Sequence, residues 1–322
     1  MKTIFISGCL GTVGIFTTNA LLNKGYTIIG VDDCSTNPYE RKKEIIESPN
    51  FYFYNTHFRN EEEMNIFSKY KIDSILHLAS KTMASESFKD PEKYCNVNIG
   101  YTARLLKLAY QHNVKRFVFE SSSAIYGNND NIPNIETDIP NPTSIYGITK
   151  YASEMLINRY HTQYGLETIN LRCYNIFAPI KYYNLNSTIP LFALKMLNNE
   201  PITLHNMGKP KRQFVHIDNI VHANILALET TNIKCFGEAF NISVLEEAMS
   251  LESLVKLLYD ELNVEEQYTL SDYVSMGDIA IVSGSIDKAK NILGYTVQKE
   301  TTQGIKEYIN WLKASCKIGG NI

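Results

Sequence analysis

No run of about 18 apolar residues occurs in the 322-residue chain, which argues against a membrane-spanning helix on the length that a bilayer demands. Basic clusters are missing too. With 31 Lys and Arg against 34 Asp and Glu, the formal net charge is -3, and nothing offers an electrostatic footprint for nucleic acid or an anionic membrane surface. The six cysteines (Cys9, Cys34, Cys95, Cys173, Cys235, Cys316) include no C-x-x-C pair. That scatter argues against a disulfide framework or a zinc site, and it suits free thiols in a reduced compartment, the cytoplasm. Repeats and low-complexity tracts are absent. The apolar residues 4–6 near the start are too few for a signal peptide and run into glycines, as a buried strand entering a turn would. The single tryptophan, Trp311, falls in a helical stripe with Ile305, Tyr308 and Leu312 and reads as core.

What is present is alternation. Short β-branched and aromatic runs at 3–6, 27–31, 51–54, 74–78, 116–119 and 168–171 predict strands. Between them, residues 12–23, 61–70, 91–112 and 144–164 carry apolar side chains at helical spacing. This order predicts an α/β fold, a doubly wound parallel sheet (Rossmann) with ligands at the carboxyl ends of its strands. Residues 128–142, rich in Asn, Asp and Pro, predict a long loop. Beyond about residue 175 the regularity stops. Strands are expected at 202–205, 214–217 and 239–242, with helices at 189–198, 219–230, 250–262, 286–293 and 302–314. The expected division is a cofactor domain of residues 1–175 plus about 214–243, and a smaller substrate lobe of about 176–213 plus 244–322.

Gly8, Gly11 and Gly14, spaced G-x-x-G-x-x-G, lie between a predicted strand and a predicted helix. Glycines there let the backbone approach a pyrophosphate, and a helix amino terminus meets the anion with unpaired N–H groups. Asp32 closes the second strand, where a carboxylate accepts from a ribose hydroxyl and repels a 2′-phosphate; NAD is therefore favoured over NADP. Tyr146 and Lys150, four residues apart, share one helix face downstream of Ser121-Ser122-Ser123. A phenol can act as a base only if its pKa falls toward neutrality. Lys150, together with an oxidised nicotinamide, is expected to lower it by about 3 units, or about 4 kcal/mol. Cys9 reads as a small buried filler. His216 and His222, near Asp218, do not read as metal ligands, and no metal is expected.

These motifs together resemble the extended short-chain dehydrogenase/reductase family, the NAD-dependent sugar-nucleotide epimerases and dehydratases, of the UDP-glucose 4-epimerase type. The matching stretches are 8–14, Asp32, 77–79, 98–106, 121–127, 146–150, 171–179, 212–218 and 287–293. The resemblance implies Ser122, Tyr146 and Lys150 as catalytic residues. It implies cofactor contacts at Gly8, Gly11, Gly14, Asp32, Phe58, Leu78, Ala79, Ser80, Asn98 and Tyr174, beside Tyr146 and Lys150. Substrate contacts to a nucleotide-diphosphate sugar would come from Ser122, Ser123, Asn175, Thr188 and Arg212, and a homodimer would form through residues 91–112 and 144–164.

Relatives that eliminate water place Asp and Glu directly after the catalytic Ser or Thr. Here Ser123 and Ala124 stand there, so the base for a carbon-bound proton is missing and plain oxidation and reduction at C4 remains. The favoured reaction is C4 epimerisation through a transient 4-keto sugar. A C4 dehydrogenase or reductase, a 4,6-dehydratase and an NAD-binding module without turnover stay as alternatives. Three departures from the family pattern stand out: His57 in place of the Asp expected near adenine, Ser275 where 4-epimerases usually have an Arg, and Ala178-Pro179 for Gly-Pro.

Overall fold

The computed structural model describes residues 2–57, 62–180 and 187–317. Seven parallel strands form the central sheet: β1 (Thr3–Ser7), β2 (Thr27–Asp32), β3 (Phe51–Asn55), β4 (Ser74–His77), β5 (Arg116–Ser122), β6 (Glu167–Cys173) and β7 (Glu238–Ile242). Their order is β7-β6-β5-β4-β1-β2-β3. The order reverses between β1 and β4, and the crevice at that reversal is where a doubly wound sheet binds its ligand. Each predicted strand of the first half is found, with ends shifted by one to three residues. The later expectation at 239–242 proves to be the seventh strand.

Helices α1 (Thr12–Asn23), α2 (Glu62–Lys69), α3 (Tyr101–Gln111) and α4 (Ile145–Tyr164) follow their strands, then α5 (Thr188–Leu197), α6 (Ile217–Glu229), α7 (Leu251–Leu262) and α8 (Thr301–Lys317). One face of the sheet packs Val13, Leu21, Ile220 and Ala223 of α1 and α6 against Ile4, Ile6, Val118 and Ile169. The other face packs Ile66, Leu105, Leu106 and Ile157 of α2, α3 and α4 against Phe5, Ile29, Phe117 and Phe119. Alternate residues of one strand thus feed opposite cores, the period-2 rule at work. A third core joins α5, α7 and α8 through Ile189, Leu254, Leu258, Tyr308 and Leu312.

Two helical expectations change in detail. The stretch predicted at 91–112 runs as a short α-turn, Pro91–Tyr94, a π-helical stretch, Cys95–Gly100, and then α3. The helix expected at 286–293 is largely π-helical, Ala289–Leu293. A π-stretch is a rare i→i+5 insertion within an α-helical segment, so a reading by helical spacing assigns the whole segment as α-helix. Phe214–His216 pairs in parallel with Asn175–Phe177 in a separate two-stranded ribbon. Phe58 and residue 61 lie outside the described residues, and the Cys316 side chain is likewise not described; Cys9, Cys34, Cys95, Cys173 and Cys235 are free.

A buried ion pair fixes α4 to the sheet. Arg172 of β6 donates from Nε (3.1 Å) and Nη2 (2.8 Å) to Glu154 of α4, and from Nη1 to the Tyr126 hydroxyl at 2.9 Å. Both charged side chains are almost wholly withdrawn from solvent. Removing one partner strands the other charge in a dry site, so Glu154→Ala is expected to lower unfolding free energy by about 3–5 kcal/mol in a urea titration. A loss below about 1 kcal/mol would mean that the pair does not hold the helix.

Candidate active site

A cavity of about 710 Å³ runs along the carboxyl ends of the strands, from the glycine turn to the segment around Arg212. Its first end is built by β1, the turn and α1. Gly11 is the N-cap of α1, no side chain caps that helix, and its first turn holds no acidic residue. The amino-terminal N–H groups are therefore left for an anion. A Cβ at position 11 would have only the Gly8 carbonyl oxygen near it, at 3.1 Å, and the rest of its surroundings are open. Asp32 is buried at the end of β2. Its oxygens accept from Leu10 N and Cys34 N, both at 3.0 Å. Burial raises its pKa, and these two N–H donors oppose the rise. Each oxygen keeps a lone pair for a hydroxyl donor. An uncapped helix end, a bare glycine turn and a nearby carboxylate suit the pyrophosphate and ribose of a dinucleotide.

The floor of the cavity is braced from below. His77, fully buried, links Ser7 Oγ (2.7 Å) to Thr102 Oγ1 (2.9 Å), and burial lowers its pKa to about 3, so its ring is neutral. Ser7 Oγ in turn accepts from Leu78 N and Ala79 N at 3.2 and 3.3 Å. Leu78, Ala79 and Ser80 are thereby held along the cavity wall. Lys81 reaches across to Thr36 Oγ1 at 2.6 Å.

The reacting end forms where β5 meets α4. Ser144 caps α4 by accepting from Gly147 N at 3.1 Å, which puts Tyr146 in the first turn and Lys150 one turn later. Position 147 tolerates no side chain, because a Cβ there would stand 2.6 Å from the Ala124 carbonyl oxygen. The helix can therefore sit directly on the turn after Ser122. Burial raises the pKa of the Tyr146 phenol well above its ordinary value, and interaction with the Ser122 hydroxyl opposes the rise. The expected lowering by Lys150 is thus not found in the protein alone. Lys150 is buried, its Nζ donates to the Glu120 carbonyl oxygen at 2.7 Å, and it stands 6.0 Å from the centre of the Tyr146 ring. Burial brings its own pKa down to about 8, with Glu120 opposing.

Among the residues singled out from sequence, Gly8, Gly11, Gly14, Asp32, Leu78, Ala79, Ser80, Ser122, Ser123, Tyr146, Tyr174, Asn175, Thr188 and Arg212 all line this cavity. Lys150 and Asn98 do not. Lys150 lies behind Tyr146, while the Asn98 amide is taken up by Lys81 N (2.8 Å), Lys81 O (3.0 Å) and Thr149 Oγ1 (2.8 Å), a brace between wall and helix. The Tyr174 hydroxyl packs over Gly284, with no hydrogen-bond partner among the described residues. Asn175 Nδ2 donates to Gln213 O at 3.0 Å. Arg212 donates from Nη2 to Asp278 Oδ1 at 2.8 Å, so its charge is shared, and Lys209 and Lys211 point to solvent outside the cavity. Ser275 lines the wall where an Arg was expected, and His57 Nε2 stands 4.0 Å from Asp33 Oδ2. Sequence reading missed Asp278, Lys81, Gly147 and Glu120. A carboxylate directly after the apolar run Phe117-Val118-Phe119, and before the serine cluster, was the available signal for Glu120.

The model of the NAD dependent epimerase/dehydratase family matches residues 4–243, which include the glycine turn, both braces and the Ser122–Tyr146 pair. The chain belongs to this family. It is 26% identical to a UDP-glucuronate 4-epimerase of Thermodesulfobacterium geofontis over 99% of this chain and 98% of that one. With a dTDP-D-glucose 4,6-dehydratase of Dictyostelium discoideum it shares 32% identity over 78% of this chain and 62% of the other. A crystal structure of UDP-glucose 4-epimerase with UDP-glucose, from Thermotoga maritima, superposes with a TM-score of 0.90 at 29% identity, covering 98% of this chain and 99% of that one.

The cavity makes a direct prediction about the cofactor. Gly11→Ala is expected to fold normally and to weaken NAD binding about tenfold or more, measured by isothermal titration, because the added methyl occupies the space beside the open helix end. Unchanged affinity would remove the glycine turn from the cofactor site.

Proposed function

We propose that this protein inverts a nucleotide-diphosphate sugar, a UDP-sugar, at C4 through a transient 4-keto intermediate. The observation that carries this is that Ser122 and Tyr146 line the same cavity as the glycine turn at one end and Asn175, Thr188 and Arg212 at the other. When bound, NAD supplies the hydride acceptor and donor for the sugar carbon. Gly8, Gly11, Gly14, Asp32, Leu78, Ala79 and Ser80 would hold it. Ser122 would donate to the reacting sugar oxygen and Tyr146 would take and return the hydroxyl proton. Lys150, anchored on β5, supplies a fixed positive charge behind the phenol. Asn175, Thr188 and Arg212 would meet the diphosphate and sugar. The guanidinium has donors to spare beyond Asp278, as its planar fork allows. Positions 123 and 124 carry no carboxyl group, which favours epimerisation over loss of water.

The reading extends to the whole chain. Residues 1–175 with about 214–243 would bind the cofactor, and the remainder would close over the sugar nucleotide. A homodimer would form through α3 and α4, whose outer side exposes Tyr110, Met155 and Tyr164. The free cysteines suit a cytoplasmic setting.

Incubation with UDP-, GDP-, CDP- and dTDP-sugars, followed by proton NMR and by the redox state of bound cofactor, tests the reaction. The expected result is inversion at C4 of a UDP-sugar with no net NADH, reduced by about 10³ in Tyr146→Phe. Stoichiometric NADH would select a dehydrogenase. Sedimentation is expected to give a dimer, shifted toward monomer by Met155→Asp; a monomeric parent would overturn the dimer.

A further inference from the structure

Glu120 is a buried carboxyl group that none of the roles above uses. It stands on β5 two residues before Ser122, so strand alternation places both side chains on one face of the sheet. It lines the cavity with Ser122, Tyr146 and Cys173, its Oε2 is buried, and that atom has no hydrogen-bond partner among the described residues. Its own carbonyl oxygen is the acceptor that anchors Lys150 Nζ. One residue thus holds the ammonium group by its backbone and presents its side chain to the cavity that Tyr146 lines.

Resting on the proposed reaction, we infer that Glu120 is a positioning residue whose carboxyl group decides how the Tyr146–Lys150 pair shares its protons. The titratable groups acting on it or on its two neighbours are Lys150, Tyr146 and Glu154 from α4, Cys173 from β6, His77 from β4 and Tyr94 from the turn before α3. Burial raises the Glu120 pKa to about 7, with Lys150 opposing. Above that pH its negative charge opposes a phenolate on Tyr146 and favours the ammonium form of Lys150. Removing the charge therefore lets both groups lose their protons at lower pH. A group that only filled space would change neither titration.

The experiment compares the parent, Glu120→Gln and Glu120→Asp, each as the NAD-loaded protein. In kcat/KM against pH, both limbs of the E120Q profile are expected about one unit lower wherever they lie above about pH 7, while E120D keeps the parent's limbs. A lower plateau with unmoved limbs would overturn the inference. Should E120Q fail to fold, Glu120→Ser carries the same expectation. A second readout needs no turnover: the near-ultraviolet tyrosinate titration of the loaded protein, taken as the difference from Y146F, should show a lower midpoint in E120Q. If no sugar nucleotide reacts, the proposed function fails, and this midpoint still decides the role of Glu120; an unmoved midpoint overturns it.

Discussion

The arrangement of this site depends on how closely α4 can approach the end of β5. Gly147 leaves no Cβ between the helix and the Ala124 carbonyl, and Lys150 ties the next turn to the Glu120 carbonyl at 2.7 Å. These two contacts bring a phenol and a serine hydroxyl from chain positions 24 residues apart to the same end of the cavity. The Arg172–Glu154 pair secures the same helix farther along. Without this seating the cavity would still present a glycine turn and an aspartate, but Tyr146 would not stand at its far end beside Ser122.

Electrostatics at that contact run against the simplest picture of a lysine that makes a tyrosine acidic. Burial dominates, keeping the phenol protonated and drawing the Lys150 pKa down to about 8. The protein thus holds a neutral tyrosine beside a cation that is costly to keep, in a site with a carboxyl group of its own. Such a site responds strongly to any charge brought into it, because the low local dielectric magnifies each interaction. A cationic nicotinamide would favour the phenolate, and its reduced form would not. Proton transfer between the sugar hydroxyl and Tyr146 would thereby be coupled to the charge of the bound cofactor.

Much of this was legible in the sequence. The sheet could be read because strands such as Thr27–Asp32 are short, β-branched and followed by helices of regular period. The glycine turn, Asp32 and Tyr146 were singled out by local spacing and Ser122 by the family pattern, and all of them line the cavity. What stayed hidden depends on tertiary contact. Asn98 matched a cofactor neighbour in the family pattern, yet its amide is consumed by Lys81 and Thr149. Arg212 matched a substrate contact in the family pattern, and the fold pairs it with Asp278, 66 residues away. The π-stretch at Cys95–Gly100 sits within a longer helical segment and was read with it as one helix. Glu120 lay just beyond the strand predicted at 116–119, and only the fold puts the Lys150 amine on its carbonyl.

The most direct test of the central claim follows the hydrogen at C4. A UDP-sugar deuterated at C4 should yield its epimer with the deuterium retained at C4, in an otherwise unlabelled aqueous buffer. Loss of the label to solvent, or an epimer inverted at a different carbon, would contradict the account.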